Sequence, residues 1–162
     1  PFADAAVAAA GADGKTQAGA PDDRADPIDF VLRDLDGKPV KLSDARGHPV
    51  ILDFWATWCA PCRKLIPELN SIYHSYRGRG LVVIGISCDT IQGDGIAAVG
   101  PFVKEMKIDY PIVIGDEALT DKLDIDAIPT TLLLDRQGRM VAKVRGLRAG
   151  ELTAAARALM GD

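Results

Sequence analysis

Two apolar runs, "PVILDFWA" (49–56) and "LVVIGIS" (81–87), constrain this chain more than any other feature. Each is nearly continuous and rich in β-branched and aromatic residues, the pattern of a strand buried on both faces. Between them Leu65, Ile66, Leu69, Ile72, Tyr73 and Tyr76 recur at helical spacing, so 60–77 reads as an amphipathic helix. Strand, helix and strand over 49–87 make a β-α-β unit, whose crossover is expected to be right-handed. Strands buried on both faces need cover on both, which the rest of the chain must supply.

The flanking segments have the patterns to do so. "IDFVLRDLDGKPVKLSD" (28–44) carries two short alternating runs around Asp36-Gly37, a turn pair, and reads as a β-hairpin. Pro101 suits the first turn of a helix running to about 107, "YPIVIG" (110–115) reads as a short strand and "EALTDKLDI" (117–125) as a short helix. "TTLLLD" and "RMVAKVRG" flank a four-residue turn as a second hairpin, and "AGELTAAARALMG" closes the chain as a helix with Gly161 past its end. The expected class is α/β, a mixed sheet flanked by helices with an N-terminal β-hairpin. At 162 residues and 48% hydrophobic, the chain supports one domain with a real core, placed at 27–162.

Residues 1–26 are of another kind, with nine alanines in the first twenty positions and scattered Gly and Asp. Such a stretch buries too little apolar area to offset its ordering entropy, and the expectation is a disordered leader or linker. The chain starts at Pro1 rather than Met, which suggests a processed start; an Ala-rich linker of this kind suits a secreted or membrane-tethered protein, with any tether upstream of residue 1. No apolar run reaches the roughly 18 residues that spanning a bilayer demands. A net charge of -4 gives no basic footprint, so nucleic acid is excluded as an expected partner. Nothing in the pattern calls for more than a monomer.

Chemistry concentrates in "FWATWCAPC" (54–62), which holds two of the three cysteines and both tryptophans. With Cys59 as N-cap of the following helix, Pro61 falls where a missing N–H has no intrahelical partner to lose. Cys62 then lies one turn on, within the span that a disulfide closes. The first-turn N–H groups and the helix dipole favour the Cys59 thiolate. A thiol of pKa about 8.5 is roughly 3% ionised at pH 7 and one brought to about 7 is half ionised, a differential stabilisation of about 2 kcal/mol. Cys59 is therefore the expected attacking thiol and Cys62 the resolving one. Zinc would need two more ligands, and Cys88, His48 and His74 form no second knuckle, so no metal is expected. A four-residue ring removes little loop entropy, which weakens a purely structural disulfide. Cys88, at the end of a strand, reads as a small apolar core residue. Arg63, Lys64, Arg77 and Arg79 read as a solvated face.

"DFWATWCAPCRKLIP" and the downstream "IPTTLLLD" (128–135) resemble the active-site segment and the cis-proline landmark of the thioredoxin superfamily. The N-terminal hairpin and the central helix-strand insertion at 96–115 make the chain resemble the extracytoplasmic TlpA/ResA-like thiol-disulfide oxidoreductases, over about 27–160. The resemblance implies a thioredoxin-like fold, a protein-disulfide reductase activity through Cys59 and Cys62, and no cofactor. It implies a cis bond at Ile128-Pro129, where the absent N–H leaves room for an extended client, with Trp58 and Pro61 on the same client-facing surface. Trp55 would pack beneath the site. Asp53, an acid inside an apolar strand, matches the buried proton acceptor of thioredoxins; desolvation should raise its pKa. Its usual Lys partner is missing, with Gly85 near the expected place, and the ResA-type Glu three residues past the second cysteine is Leu65 here.

By the same analogy the chain is expected outside the cytoplasm, periplasmic if bacterial, with a transmembrane thiol reductase as electron donor and protein disulfides, apocytochrome c among them, as clients. Ala60-Pro61, with no His between the cysteines, points to the reducing direction. The alternative from another class is a non-catalytic thioredoxin-fold binding or metallochaperone module, whose C-x-x-x-C spacing this chain lacks. A peroxidase would need a Thr where Ala56 stands.

Overall fold

The computed structural model describes residues 25–91, 95–146 and 148–162, so all but the end of the expected 1–26 leader lies outside the described residues. β3 (Val50–Trp55) and β4 (Val82–Ser87) pair in parallel from Val50 opposite Val82 to Trp55 opposite Ser87. α1 (Ala60–Tyr76) joins them, the β-α-β unit read from the apolar runs. All six residues of β3 are buried, which explains why its sequence does not alternate.

The remaining elements extend this unit to both sides. β1 (Val31–Asp34) and β2 (Pro39–Lys41) form the N-terminal hairpin, and β6 (Thr130–Leu134) and β7 (Met140–Arg145) the second one. β5 (Ile112–Ile114) runs parallel to β4 and antiparallel to β1, giving a seven-stranded mixed sheet in the order β2-β1-β5-β4-β3-β6-β7. α2 (Val99–Glu105), α3 (Glu117–Lys122) and α4 (Glu151–Met160) complete the described helices. The sheet divides two apolar cores. Ile51 and Trp55 face one with Leu65, Leu69 and Leu152 from α1 and α4, while Leu52 and Phe54 face the other with Phe30 and Leu119. By the two-residue period of a strand, Asp53 projects to the side of Ile51 and Trp55.

Three boundaries differ from the sequence reading. α2, which follows a 3-10 turn over Ile96–Ala98 and holds Pro101 in its first turn as expected, ends at Glu105 rather than near 107. β5 is confined to three residues. α3 stops at Lys122 instead of reaching 125, because Leu123 leaves helical geometry and Asp124 takes a left-handed φ of 52°. Lys143 of β7 settles that end: its buried ammonium donates to the carbonyls of Leu123 at 2.9 Å and Asp124 at 2.6 Å. A cation there also meets the negative end of the helix.

Candidate active site

β3 ends at Trp55, and its carbonyl accepts from Cys88 N–H at 2.7 Å, closing the strand pair at this end. The chain then turns over Ala56–Cys59, with Cys59 N–H donating to Ala56 O at 3.2 Å. Cys59 is the N-cap of α1, in extended geometry, and its sulfur accepts from Cys62 N–H at 3.3 Å. The two cysteines form a disulfide across Cα atoms 5.3 Å apart. Both are buried, whereas Trp58, the residue before Cys59, is 51% exposed. Pro61 sits in the first turn and is exposed.

The Ile128-Pro129 peptide bond is cis. β6 starts at the next residue, with Thr130 opposite Phe54 near the end of β3, so Pro129 lies at the same end of the sheet as the turn leading to Cys59. Thr130 Oγ1 donates to Ala127 O at 2.6 Å and ties this loop to the strand. A cleft of about 310 Å³ opens between Trp58 and Ile128, with Cys88, Ile91 and Ile125 on its wall. Cys88 is free and buried; burial, then the charges of Asp89 and Asp53, push its thiol up to about 12. It packs as the small core residue read from the sequence, and it also borders the cleft.

Asp53 is 1% exposed. Its Oδ1 accepts from Thr131 Oγ1 at 3.0 Å, and its Oδ2 has no hydrogen-bond partner among the described residues. Desolvation raises its pKa to about 7 against the lowering effect of the Thr131 bond. Gly85 is its register partner on β4, the place where a Lys was looked for. There a Cβ would come within 2.6 Å of Ile112 Cδ1, 3.0 Å of Trp55 Nε1 and 3.1 Å of Tyr110 Cε2. Apolar and aromatic groups have thus closed the space that a longer side chain would need. Burial and the Asp53 charge likewise hold the Tyr110 phenol well above its ordinary range.

Sequence reading missed a second buried carboxylate. Asp89, just past β4 and 1% exposed, accepts from Thr57 N–H at 3.1 and 3.2 Å, from Thr57 Oγ1, and from Ser87 Oγ at 2.8 Å. The other end of Thr57, its carbonyl, accepts from Arg63 Nε at 3.3 Å. Arg63 in turn lies over the Phe102 ring at 5.0 Å, and Phe102 stacks on the buried Trp55 at 5.4 Å. Arg63, Lys64, Arg77 and Arg79 are all exposed, as expected of a solvated face, and just past α1 Arg77 also lies over Tyr73 while Arg79 lies over Tyr76 and pairs with Asp162. An acid directly after a buried strand was the available signal for Asp89; its partner, 32 residues back, was not visible.

A helix-capping cysteine pair beyond a central strand, with a cis-proline at the same sheet edge, defines a thioredoxin-fold dithiol/disulfide site. The model of the AhpC/TSA family matches residues 23–143, and the chain belongs to that family. It is similar to the thiol-disulfide oxidoreductase ResA of Bacillus cereus, at 34% identity over 75% of this chain and 69% of that protein. Among solved structures it resembles a thiol:disulfide interchange protein DsbE from Chlorobium tepidum, with a TM-score of 0.71 at 29% identity over 83% of this chain and 98% of the other. A second Chlorobium tepidum thiol:disulfide interchange protein of the thioredoxin family gives 0.75 at 26% identity, over 86% and 99%. The chain is a thiol-disulfide oxidoreductase of the ResA/DsbE type, with Cys59 and Cys62 as its C-x-x-C pair.

Proposed function

We propose that this enzyme runs in the reducing direction on protein disulfides outside the cytoplasm. The observation that carries the reading is the position of Cys59 Sγ at the N-cap of α1, accepting the Cys62 N–H next to a half-exposed Trp58 in sequence. That N–H and the helix dipole stabilise negative charge on one sulfur of the pair, which makes it the attacking atom. From the dithiol, the Cys59 thiolate attacks a client disulfide, forms a mixed disulfide and expels one client sulfur as a thiolate. Cys62 then loses its proton to Asp53 and attacks Cys59 Sγ, closing the Cys59–Cys62 disulfide and expelling the second client thiolate. Two electrons pass to the client. A carboxylate with a pKa of about 7 is matched to accepting that proton near neutral pH.

Trp58, Pro61, Ile128 and the cis-Pro129 form the client-binding edge, with the cleft beside Trp58 and Ile128 as the seat for a side chain next to the client cysteine. A transmembrane thiol reductase fits the role of electron donor, and apocytochrome c that of a client, on analogy with the ResA-type relatives. Ala60-Pro61 supports the reducing direction, since no His between the cysteines over-stabilises the thiolate. No described helix is long and apolar enough to cross a membrane. The test is insulin-disulfide reduction beside equilibration with glutathione. Wild type should turn over and Cys59→Ala should fall to the blank; a couple near about -120 mV would reverse the direction assigned.

A further inference from the structure

Asp89 holds the residue two places before the attacking cysteine by three of its groups' bonds, and it does so with a buried negative charge. We propose that Asp89 is a positioning residue whose carboxylate fixes the Ala56–Cys59 turn and whose charge restrains ionisation of Cys59, keeping the couple reducing. The inference rests on the reading of Cys59 as the attacking thiol.

The geometry begins at Thr57. Its N–H reaches both oxygens of Asp89 and its hydroxyl reaches one of them, while Ser87 Oγ donates to the other. A backbone N–H can only donate, so the acceptor in this arrangement is set by the carboxylate. Arg63 holds the carbonyl of the same residue. With both ends of its backbone engaged, Thr57 delivers Trp58 and Cys59 in one orientation, and the turn bond from Cys59 N–H to Ala56 O follows. Thr57 and Cys59 are two Cα steps apart, so covalent reach keeps the carboxylate within roughly 15 Å of the sulfur. Cys59 and Asp89 are both buried, and salt and water screen charges there less than at the surface. Even at that outer limit, with an effective dielectric constant of about 20, one charge changes the thiolate population about sixfold. Among the described residues, Arg63 and Lys64 on α1, Asp53 on β3, and the Asp126–Arg145 pair by the cleft are further charged groups toward this end of the sheet. Asp89 is bonded to the turn itself.

The helix N-terminus and Asp89 therefore act on Cys59 with opposite signs. The first promotes the thiolate needed for attack. The second limits how far the dithiol is stabilised, and a less stabilised dithiol is the stronger reductant.

Asp89→Asn separates charge from shape, since the amide oxygen can still accept from Thr57 N–H and its hydroxyl while the NH2 donates to Ser87 Oγ. The experiment follows iodoacetamide alkylation of the reduced full chain against pH, with the labelled cysteine identified by mass spectrometry, and equilibration with glutathione at pH 7. In D89N the Cys59 alkylation midpoint should move down by about one pH unit, and the equilibrium should move up to about tenfold toward the dithiol. Ser87→Ala removes a donor from the far oxygen and leaves Thr57 untouched, so its midpoint should move the opposite way, by about twofold in thiolate fraction. S87A carries the test if D89N fails to fold by near-ultraviolet circular dichroism. Unshifted Cys59 profiles in the folded variants overturn the role of Asp89 alone. Labelling that maps first to Cys62 in wild type overturns the parent reading instead.

Discussion

Asp53 and Asp89 are both 1% exposed, and both lie toward the C-terminal ends of neighbouring parallel strands, yet their surroundings are opposites. Asp89 is met by a backbone N–H and two hydroxyls. Asp53 has one hydroxyl, an oxygen with no partner among the described residues, and a glycine where a cation was looked for. Burial alone therefore does not say what a carboxylate does. Donors favour the charged form and fix geometry; their scarcity lets desolvation win and leaves a group that takes up a proton near neutral pH.

The largest expected effect tests the proton-accepting half of this contrast. Asp53→Asn should slow the resolving step by about 100-fold or more, read as accumulation of a client mixed disulfide in rapid-quench experiments. Wild type should show a limb near pH 7 in that step, and D53N should show none. Equal rates would leave the two carboxylates without the difference assigned to them.

Stability should move in opposite directions at the two sites. The folded-state pKa of Asp53 lies above its ordinary 3.8, at about 7, so the folded protein holds a proton that the unfolded chain has released across that window. Its contribution is intact below about pH 3.8 and is lost as pH rises to about 7, by about 4 kcal/mol in all. D53N should lack this loss and exceed wild type in urea denaturation at pH 8. Asp89→Ala, which strands Thr57 N–H and Ser87 Oγ, should cost about 2 to 4 kcal/mol in the same assay. Destabilisation by both variants at pH 8 would erase the contrast.

The smallest effect sharpens it. Thr131→Val deletes the hydroxyl that donates to Asp53 and lowers its pKa. The limb in the resolving step should then move up by about one pH unit, for about 1 kcal/mol of bond lost. A limb that stays in place would assign it to another group.

The site was legible in the sequence where its parts are close along the chain. Cys59, Pro61 and Cys62 share one helical turn, so spacing alone placed the N-cap, the tolerated proline and the closable pair, as found. The doubly buried strands were legible for the same reason, since a continuous apolar run is a local pattern. Asp53 stood out as an acid within such a run, and its burial followed. The cis bond before Pro129 came from resemblance; nothing in its neighbours' residue types demands it. The end of α3 was overrun because Lys143, twenty residues after Leu123, supplies the group that meets its last carbonyls. Nothing local marks Glu68 of α1, yet it accepts from Gly150 and Thr153 N–H and caps α4.

By itself, then, the sequence determined the period of each element, the α/β class and a cysteine pair poised at a helix start, because these depend on residues within a turn or two of one another. Tertiary structure decided the rest: which buried acid receives donors, what fills the space at Gly85, and how Thr57 is held from 32 residues away. Desolvation and hydrogen bonding act through space, and the groups that supply them here meet only after β3, β4 and β6 have paired.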